Sequence, residues 1–307
     1  MKRIKVFSPA SVSNVCCGFD VLGFSISGIG DQLTISKSKS SKVNIKKVNG
    51  YNVPSERDLN TASVAGQALI DHLKVTQGFD IEIDKNIKPG SGIGSSASSA
   101  AGAVYGINKL LGCPLNKNEL VQFAMKGELV SSNSAPADNI CSSLFGGLIL
   151  VNNRENHSVI KLPVPNNLYA VIHHPNIEIK TSYSRVKLPE KVRLNIASEQ
   201  LAYIAGFIHS LHTSDFELMK ISLQDYLVEN HRKDSLPYFE EIKKVVMENN
   251  AICCSISGSG PSIFCLVNGF HLASKLKAMV DSVFINKKIQ FNSYVTSLKS
   301  KGVHEIL

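Results

Sequence analysis

The stretch GSGIGSSAS, residues 90–98, puts three glycines and four serines directly ahead of a run of helix-forming residues. The preceding FDIEID (79–84) alternates apolar and acidic residues, the pattern of a half-buried strand. The following Ala97, Ala100, Ala101, Ala103, Leu110 and Leu111 have the composition of a helix. A flexible Gly/Ser linker has no reason to pass into such a run. The order is therefore strand, loop, helix. That junction aims free backbone N–H groups and the positive end of a helix dipole at one point, a site suited to phosphate. The glycines let the chain approach a ligand closely and adopt left-handed torsions. The loop lacks the lysine of GxxxxGK[ST], and its GxGxxS spacing misses the dinucleotide fingerprint. Phosphate must be bound here in a third way.

The elements around this loop can be read from periodicity. Strand-like runs at 3–7, 29–36 and 43–48 suggest an antiparallel start, with KSKSSK and IKK between 37 and 47 forming a solvated hairpin. TASVAGQALIDHL (61–73) is helical, with Asn60 or Thr61 placed to cap it. NKNELVQFAMKGEL predicts a second helix with Asn116 and Glu119 in a capping box. VSSNSAPADN reads as a polar loop and FGGLILV as a buried strand. In the second half, LYAVIHH is a strand, helices follow near 193–213, 216–228 and 235–250, and AICCSISGSGPSIFCLV is strand, turn, strand. A helix at 271–284 and a strand at 289–298 complete the pattern. Strands and helices mix without regular βα alternation, which gives an α+β class. The polar, proline-bearing segment 152–167 divides the chain into units 1–158 and 159–307.

Composition narrows the function. Hydrophobic residues make up 43% and charged residues 19%, ordinary for a globular protein, and no apolar run reaches a membrane span. The N-terminus moves straight into IKVF with no apolar leader or cleavage site, so a cytoplasmic protein is expected. Seven cysteines without a CxxC read as reduced thiols used as apolar filler. The net charge of +8 invites nucleic acid as a partner, but the excess is concentrated in residues 1–50, with eight Lys/Arg against two acids. No aromatic residue interleaves the 37–47 cluster and no basic helical face forms, so a nucleic-acid partner is not expected.

Three glycine-bearing segments lie far apart: SPASVSNVCCGFDVLG (8–23), PGSGIGSSASSAAG (89–102) and SISGSGPSIFCLV (255–267). In this order and at these distances they resemble the three motifs of the GHMP small-molecule kinases. The middle one resembles that family's PxxxGLGSSAA phosphate loop, with Ile93 for Leu and Ser98 for Ala. Secondary segments resemble those of the homoserine kinases within the family. The first motif resembles PATSANLGPGFDxLG, with Cys16 and Cys17 in place of Gly and Pro. ADNICSSLFGGL (137–148), KTSYSRVKLP (180–189) and HRKDSLP (231–237) resemble HxDNVAPALLGG, STxxARxxLP and YRxxLIP. The resemblance implies a two-domain architecture, with an N-terminal domain like domain 2 of ribosomal protein S5 and a ferredoxin-like C-terminal domain. It implies ATP and Mg2+ as cofactors, L-homoserine as substrate, and is compatible with a homodimer.

The resemblance also assigns residues. Pro89, Gly90, Ser91, Gly92, Ile93, Gly94, Ser95, Ser96, Ala97, Ser98 and Ser99 form the ATP-phosphate cradle, and Asn60 matches a position at the adenine end. Ser96 and Glu128 match the magnesium pair, Glu128 standing eleven residues before Asn139. Asn139 orients the attacking hydroxyl. Homoserine is a zwitterion, so its pocket must supply both signs. Arg185 and Arg232 suit its carboxylate, Asp20 its ammonium, with Asn14 beside Asp20 and Thr181 in the matched Arg185 segment. Asn cannot act as a base, so transfer is expected without one, with Asp138 as an alternative next door. One departure stands out. Where the family commonly has His two residues before Asp-Asn, this chain has Pro136, which leaves Ser134 or His231 to compensate. Another small alcohol, mevalonate or a sugar, is the alternative substrate. A catalytically silent homologue would be expected to have lost the loop or the carboxylate, and neither is lost.

Overall fold

The computed structural model describes residues 2–131, 137–153, 158–177 and 186–306. Among these residues the strands form two sheets. The first contains β1 (Arg3–Val15), β2 (Gly18–Lys37), β3 (Val43–Gly50), β4 (Phe79–Lys85), β5 (Leu148–Val151), β6 (Val159–Lys161) and β11 (His304–Glu305). The second contains β7 (Leu168–Pro175), β8 (Cys253–Ile256), β9 (Ile263–Asn268) and β10 (Phe291–Ser297), antiparallel throughout in the order β10-β7-β9-β8.

Alternation explains how the sheets stack. On β7, Leu168, Ala170 and Ile172 join Val12, Phe24 and Leu148 of the first sheet in one core, while Val171 faces the opposite core. Phe24 and Phe264 meet edge to face across the sheets, with ring centroids 5.8 Å apart. A strand buried on both faces reads as a continuous apolar run, as LYAVIHH and IFCLV do. Helices α1 (Thr61–His72), α2 (Ser95–Leu110), α3 (Lys117–Ser131) and α4 (Ala137–Phe145) share a core with the first sheet. In the second half α5 (Leu194–Thr213), α6 (Phe216–Ser222) and a short α7 (Glu229–Arg232) precede α8 (Phe239–Glu248) and α9 (Phe270–Asn286). The last two cover the outer face of the second sheet.

The hairpin expected for the basic segment and the loop expected through ADN are corrected, and the first motif gains an assignment. The first motif, which periodicity leaves unassigned, is strand: β1 and β2 form one long hairpin whose turn is Cys16–Cys17, and its serines and glycines conceal the strand signal. The basic segment 38–42 does not close a hairpin, because β3 pairs in parallel with β4, which separates it from β2. ADNICSSLF is helix α4 rather than the end of a loop. Across the expected division at 158/159, β6 pairs with β5, and β11 returns to pair with β1 in the first sheet.

The capping box of α3 forms as read. Asn116 Oδ1 accepts from the backbone N–H of Asn118 and Glu119, at 2.9 and 3.2 Å, and Asn116 N–H donates to Glu119 Oε2 at 2.7 Å. Asn116→Ala is expected to lower the urea-unfolding free energy by about 1 kcal/mol and to leave both substrate KM values unchanged. A shift in either KM would show that α3 transmits strain to the site.

Candidate active site

Helix α2 starts at Ser95 behind Gly94, whose φ of 69° is left-handed and which supplies no side-chain cap. The first helical N–H groups therefore have no intrahelical or capping partner and point out of the helix end. Gly92 is also left-handed, with φ 76°, and a Cβ there would stand 2.6 Å from Gly260 O and 2.8 Å from Ser257 O. Only glycine fits, because the third motif lies directly on the loop.

The three glycine segments are laced together by hydrogen bonds. From the third motif, Ser257 Oγ donates to Gly92 O at 2.7 Å and Ser262 Oγ to Ser91 O at 2.6 Å. From the first, Ser11 N–H donates to Ile93 O at 3.1 Å, and Gly258 N–H donates back to Ser13 O at 3.2 Å. Several residues assigned to the cradle use their side chains to hold the loop. Ser95 Oγ donates to Ile87 O, Ser98 Oγ to Ser8 O and Ser99 Oγ to Asp31 Oδ2, at 2.8, 2.7 and 2.8 Å. Ile93 and Ala97 are core residues. The backbone N–H groups at the start of α2 are left to meet a phosphate.

Ser96 Oγ donates to Glu128 Oε2 at 3.0 Å, which brings the two side chains together. The other carboxylate oxygen, Glu128 Oε1, is buried and has no hydrogen-bond partner among the described residues. Burial pushes the carboxyl up to about 7, against the opposing pull of the Ser96 hydroxyl and the Lys85 charge. A hydroxyl and a buried carboxylate with an unsatisfied oxygen fit a hard divalent cation that takes its remaining ligands from phosphate and water.

Asn139, on α4, is held at both ends of its amide. Ser11 Oγ donates to Oδ1 at 2.9 Å, and Nδ2 donates to Ser13 Oγ at 3.0 Å. It lies against the helix start: a Cβ on Gly94 would be 3.1 Å from Asn139 Oδ1. Asp138 faces the other way. Its carboxylate accepts from Asn14 N–H at 3.2 Å and Asn139 N–H at 2.9 Å, and it is fully buried.

Asn14 and Asp20 both have left-handed backbones, φ 57° and 59°. Asn14 is a brace: its Oδ1 accepts from Asp20 N–H at 2.9 Å and its Nδ2 donates to Gly258 O at 3.3 Å. Arg232 Nη1 donates to the same Gly258 carbonyl, and the guanidinium stands 5.6 Å from the Phe19 ring centroid. Asn14 and Arg232 thus converge on Gly258 from two separate segments, with the backbone of Asp20 tied to Asn14. Thr181, Arg185, Ser134 and Pro136 lie outside the described residues, and His231 is exposed on α7.

Asn60 is engaged as a helix cap. Its Oδ1 accepts from Ala62 N–H at 3.0 Å and its Nδ2 donates to Pro54 O at 2.6 Å. His173 bonds Asp281 and His174 bonds Ser262, at 3.1 and 3.2 Å, which makes both structural. All seven cysteines are free and six are buried. Sequence reasoning missed Asp31 and Lys85, which form a buried ion pair beneath the first turn of α2.

Residues 60–147 match the GHMP kinases N terminal domain, and residues 207–286 match the GHMP kinases C terminal domain. A homoserine kinase from Chlorobium phaeobacteroides is 37% identical over the full length of both chains. The chain belongs to the homoserine kinase family. A crystal structure of homoserine kinase from Cytophaga hutchinsonii is 39% identical and superposes with a TM-score of 0.95, covering 100% of this chain and 98% of that one. A mevalonate kinase from L. major, at 16% identity and a TM-score of 0.70 over 95% of each chain, shares the fold. Family membership makes this an ATP-dependent kinase of two α+β domains.

The raised Glu128 carboxyl sets a pH dependence. The proton must leave before a cation binds, so affinity for any divalent cation held here should rise by up to about tenfold per unit as pH climbs toward 7, and level off above it. Without cation, burial penalises the ion. The folded state therefore loses stability as pH rises from the ordinary 4.5 through about 7. Titrating Mg2+ dependence of turnover between pH 6 and 8 checks the sign, and Glu128→Gln should flatten the profile.

Proposed function

We propose that the γ-phosphoryl group of ATP passes directly to the side-chain hydroxyl of L-homoserine at the junction of the three glycine segments, with no protein base. The observation that carries this reading is the placement of Asn139 against Gly94, tied to Ser11 and Ser13. It stands beside the uncapped start of α2, whose first turn carries Ser96, bonded to Glu128 of α3.

The chain's own groups divide the labour. Backbone N–H groups at the start of α2 hold the transferring phosphates and meet charge with the helix dipole. Ser96 and Glu128 would hold Mg2+, which when bound neutralises phosphate charge. Asn139 retains one free lone pair on Oδ1 and one free hydrogen on Nδ2 after its bonds to the two serines, enough to orient a substrate hydroxyl. The hydroxyl oxygen bonds to phosphorus as the bond to the ADP oxygen breaks, and the proton leaves to a phosphate oxygen or solvent. Asp138 does not take it, because its carboxylate already accepts two backbone N–H groups in the interior. The mechanism rests on position and charge, as phosphoryl transfer requires.

The zwitterion meets Arg232 and Arg185 at its carboxylate and Asp20 at its ammonium, with Thr181 in the Arg185 segment. Arg232 is 5% exposed and Asp20 8%, so charges at this point act in a partly dehydrated setting. A cytoplasmic location and a homodimeric assembly are compatible with this reading.

An ADP-release assay with L-homoserine, mevalonate and galactose tests it. Turnover is expected with L-homoserine alone. Arg232→Ala should raise the homoserine KM about a hundredfold, a lost charge-assisted contact, while the ATP KM moves less than about threefold. Equal loss against both substrates, or preference for another alcohol, would overturn the assigned pocket.

A further inference from the structure

The phosphate loop has no lysine of its own, and one reaches it from behind. Lys85, the last residue of β4, is 2% exposed and continues the inward phase of Phe79, Ile81 and Ile83. Its Nζ donates to Ser95 O at 2.6 Å, to Ser99 Oγ at 3.0 Å and to Asp31 Oδ2. An ammonium has three hydrogens, so this set uses all of them and leaves none for a nucleotide.

Asp31 is fully buried on β2 and shares its carboxylate between two parts of the chain. Oδ2 also accepts from Ser99 Oγ at 2.8 Å, and Oδ1 accepts the backbone N–H groups of Asn86 and Ile87 at 3.1 and 3.2 Å. Ser95 Oγ closes the cluster by donating to Ile87 O at 2.8 Å. One side of the cluster grips residues 86–87, where the chain enters the loop. The other grips residues 95–99, where it leaves.

We propose that Lys85, with Asp31 and Ser99, is a positioning group for ATP, fixing the two stems of the phosphate loop so that its backbone N–H groups stand aligned before nucleotide arrives. The inference rests on the phosphoryl-transfer reading above and adds Lys85 and Asp31, which no motif of the loop contains. A buried ion pair is weak evidence of stability in itself, since apolar replacements often match it. Here most of the partners are groups of the two stems rather than of the surrounding core. The pair therefore controls loop geometry, and misplacement of phosphate by about 1 Å can cost on the order of a hundredfold in rate.

The test compares wild type, Ser99→Ala and the double variant Asp31→Asn with Lys85→Met. The double variant leaves no unpaired buried charge. Thermal unfolding, separate KM values for ATP and L-homoserine, and ADP affinity by titration calorimetry are measured for each. Ser99→Ala should raise the ATP KM about threefold, and the double variant about tenfold or more, with parallel loss of ADP affinity. The homoserine KM should stay within about twofold in both. A folded double variant with wild-type ATP KM and ADP affinity would overturn the proposal, as would KM values for both substrates that rise together. Should the double variant fail to fold, Ser99→Ala decides by the same criterion. A wild type inactive on homoserine would sink the functional reading instead, and the ADP affinities would still decide the role of the pair.

Discussion

A loop that grips phosphate with backbone N–H groups has to be kept in shape by something other than its ligand, and the buried Lys85–Asp31 pair does this here. Leaving either charge unpaired in the interior would cost about 3–5 kcal/mol. The pair persists because its remaining hydrogen-bonding capacity goes into Ser95 O, Ser99 Oγ and the N–H groups of Asn86 and Ile87. Everything downstream inherits that placement. The direction of α2, the position of Ser96 against Glu128 and the gap at Gly94 into which Asn139 fits all follow from where the first turn begins.

Segments 126 to 171 residues apart in the chain become one site by simple means. Serines of the third motif donate to carbonyls of the phosphate loop, and the first motif offers Ser11 and Ser13 to Asn139. Gly258 O collects Asn14 and Arg232. These are neutral or singly charged hydrogen bonds, each worth about 1 kcal/mol, so stiffness comes from their number and mutual support. The same lacing leaves carboxylates with separate duties. Asp31 and Asp138 serve the scaffold, whereas Glu128 keeps one oxygen unsatisfied among the described residues, and that difference marks it for the cation.

Much of this was legible in the sequence, and the failures are instructive. Strand–loop–helix order around residues 79–111 and the Asn116–Glu119 box follow from local pattern, because periodicity and capping are short-range. The first motif defeated that logic, since serine and glycine conceal a strand whose pairing is long-range. Helix α4 was hidden because ADN reads as a turn when its partners, Asn14 and Ser11, are distant. Lys85 and Asp31 left a signal that went unused. Lys85 holds the phase of Phe79, Ile81 and Ile83, and Asp31 that of Leu33 and Ile35, and opposite charges on adjacent inward phases of paired strands call for each other. Asn60 forms the helix cap that its place before TASVAGQALIDHL predicts, because capping is local.

The most direct test of the central claim follows the phosphorus itself. Phosphorus NMR of the protein with ATP, Mg2+ and L-homoserine should show one new phosphate monoester, coupled to a methylene, for each ADP formed. Appearance of ADP with inorganic phosphate and no ester, or an ester that does not require homoserine, would contradict transfer to the hydroxyl that Asn139 is held to receive.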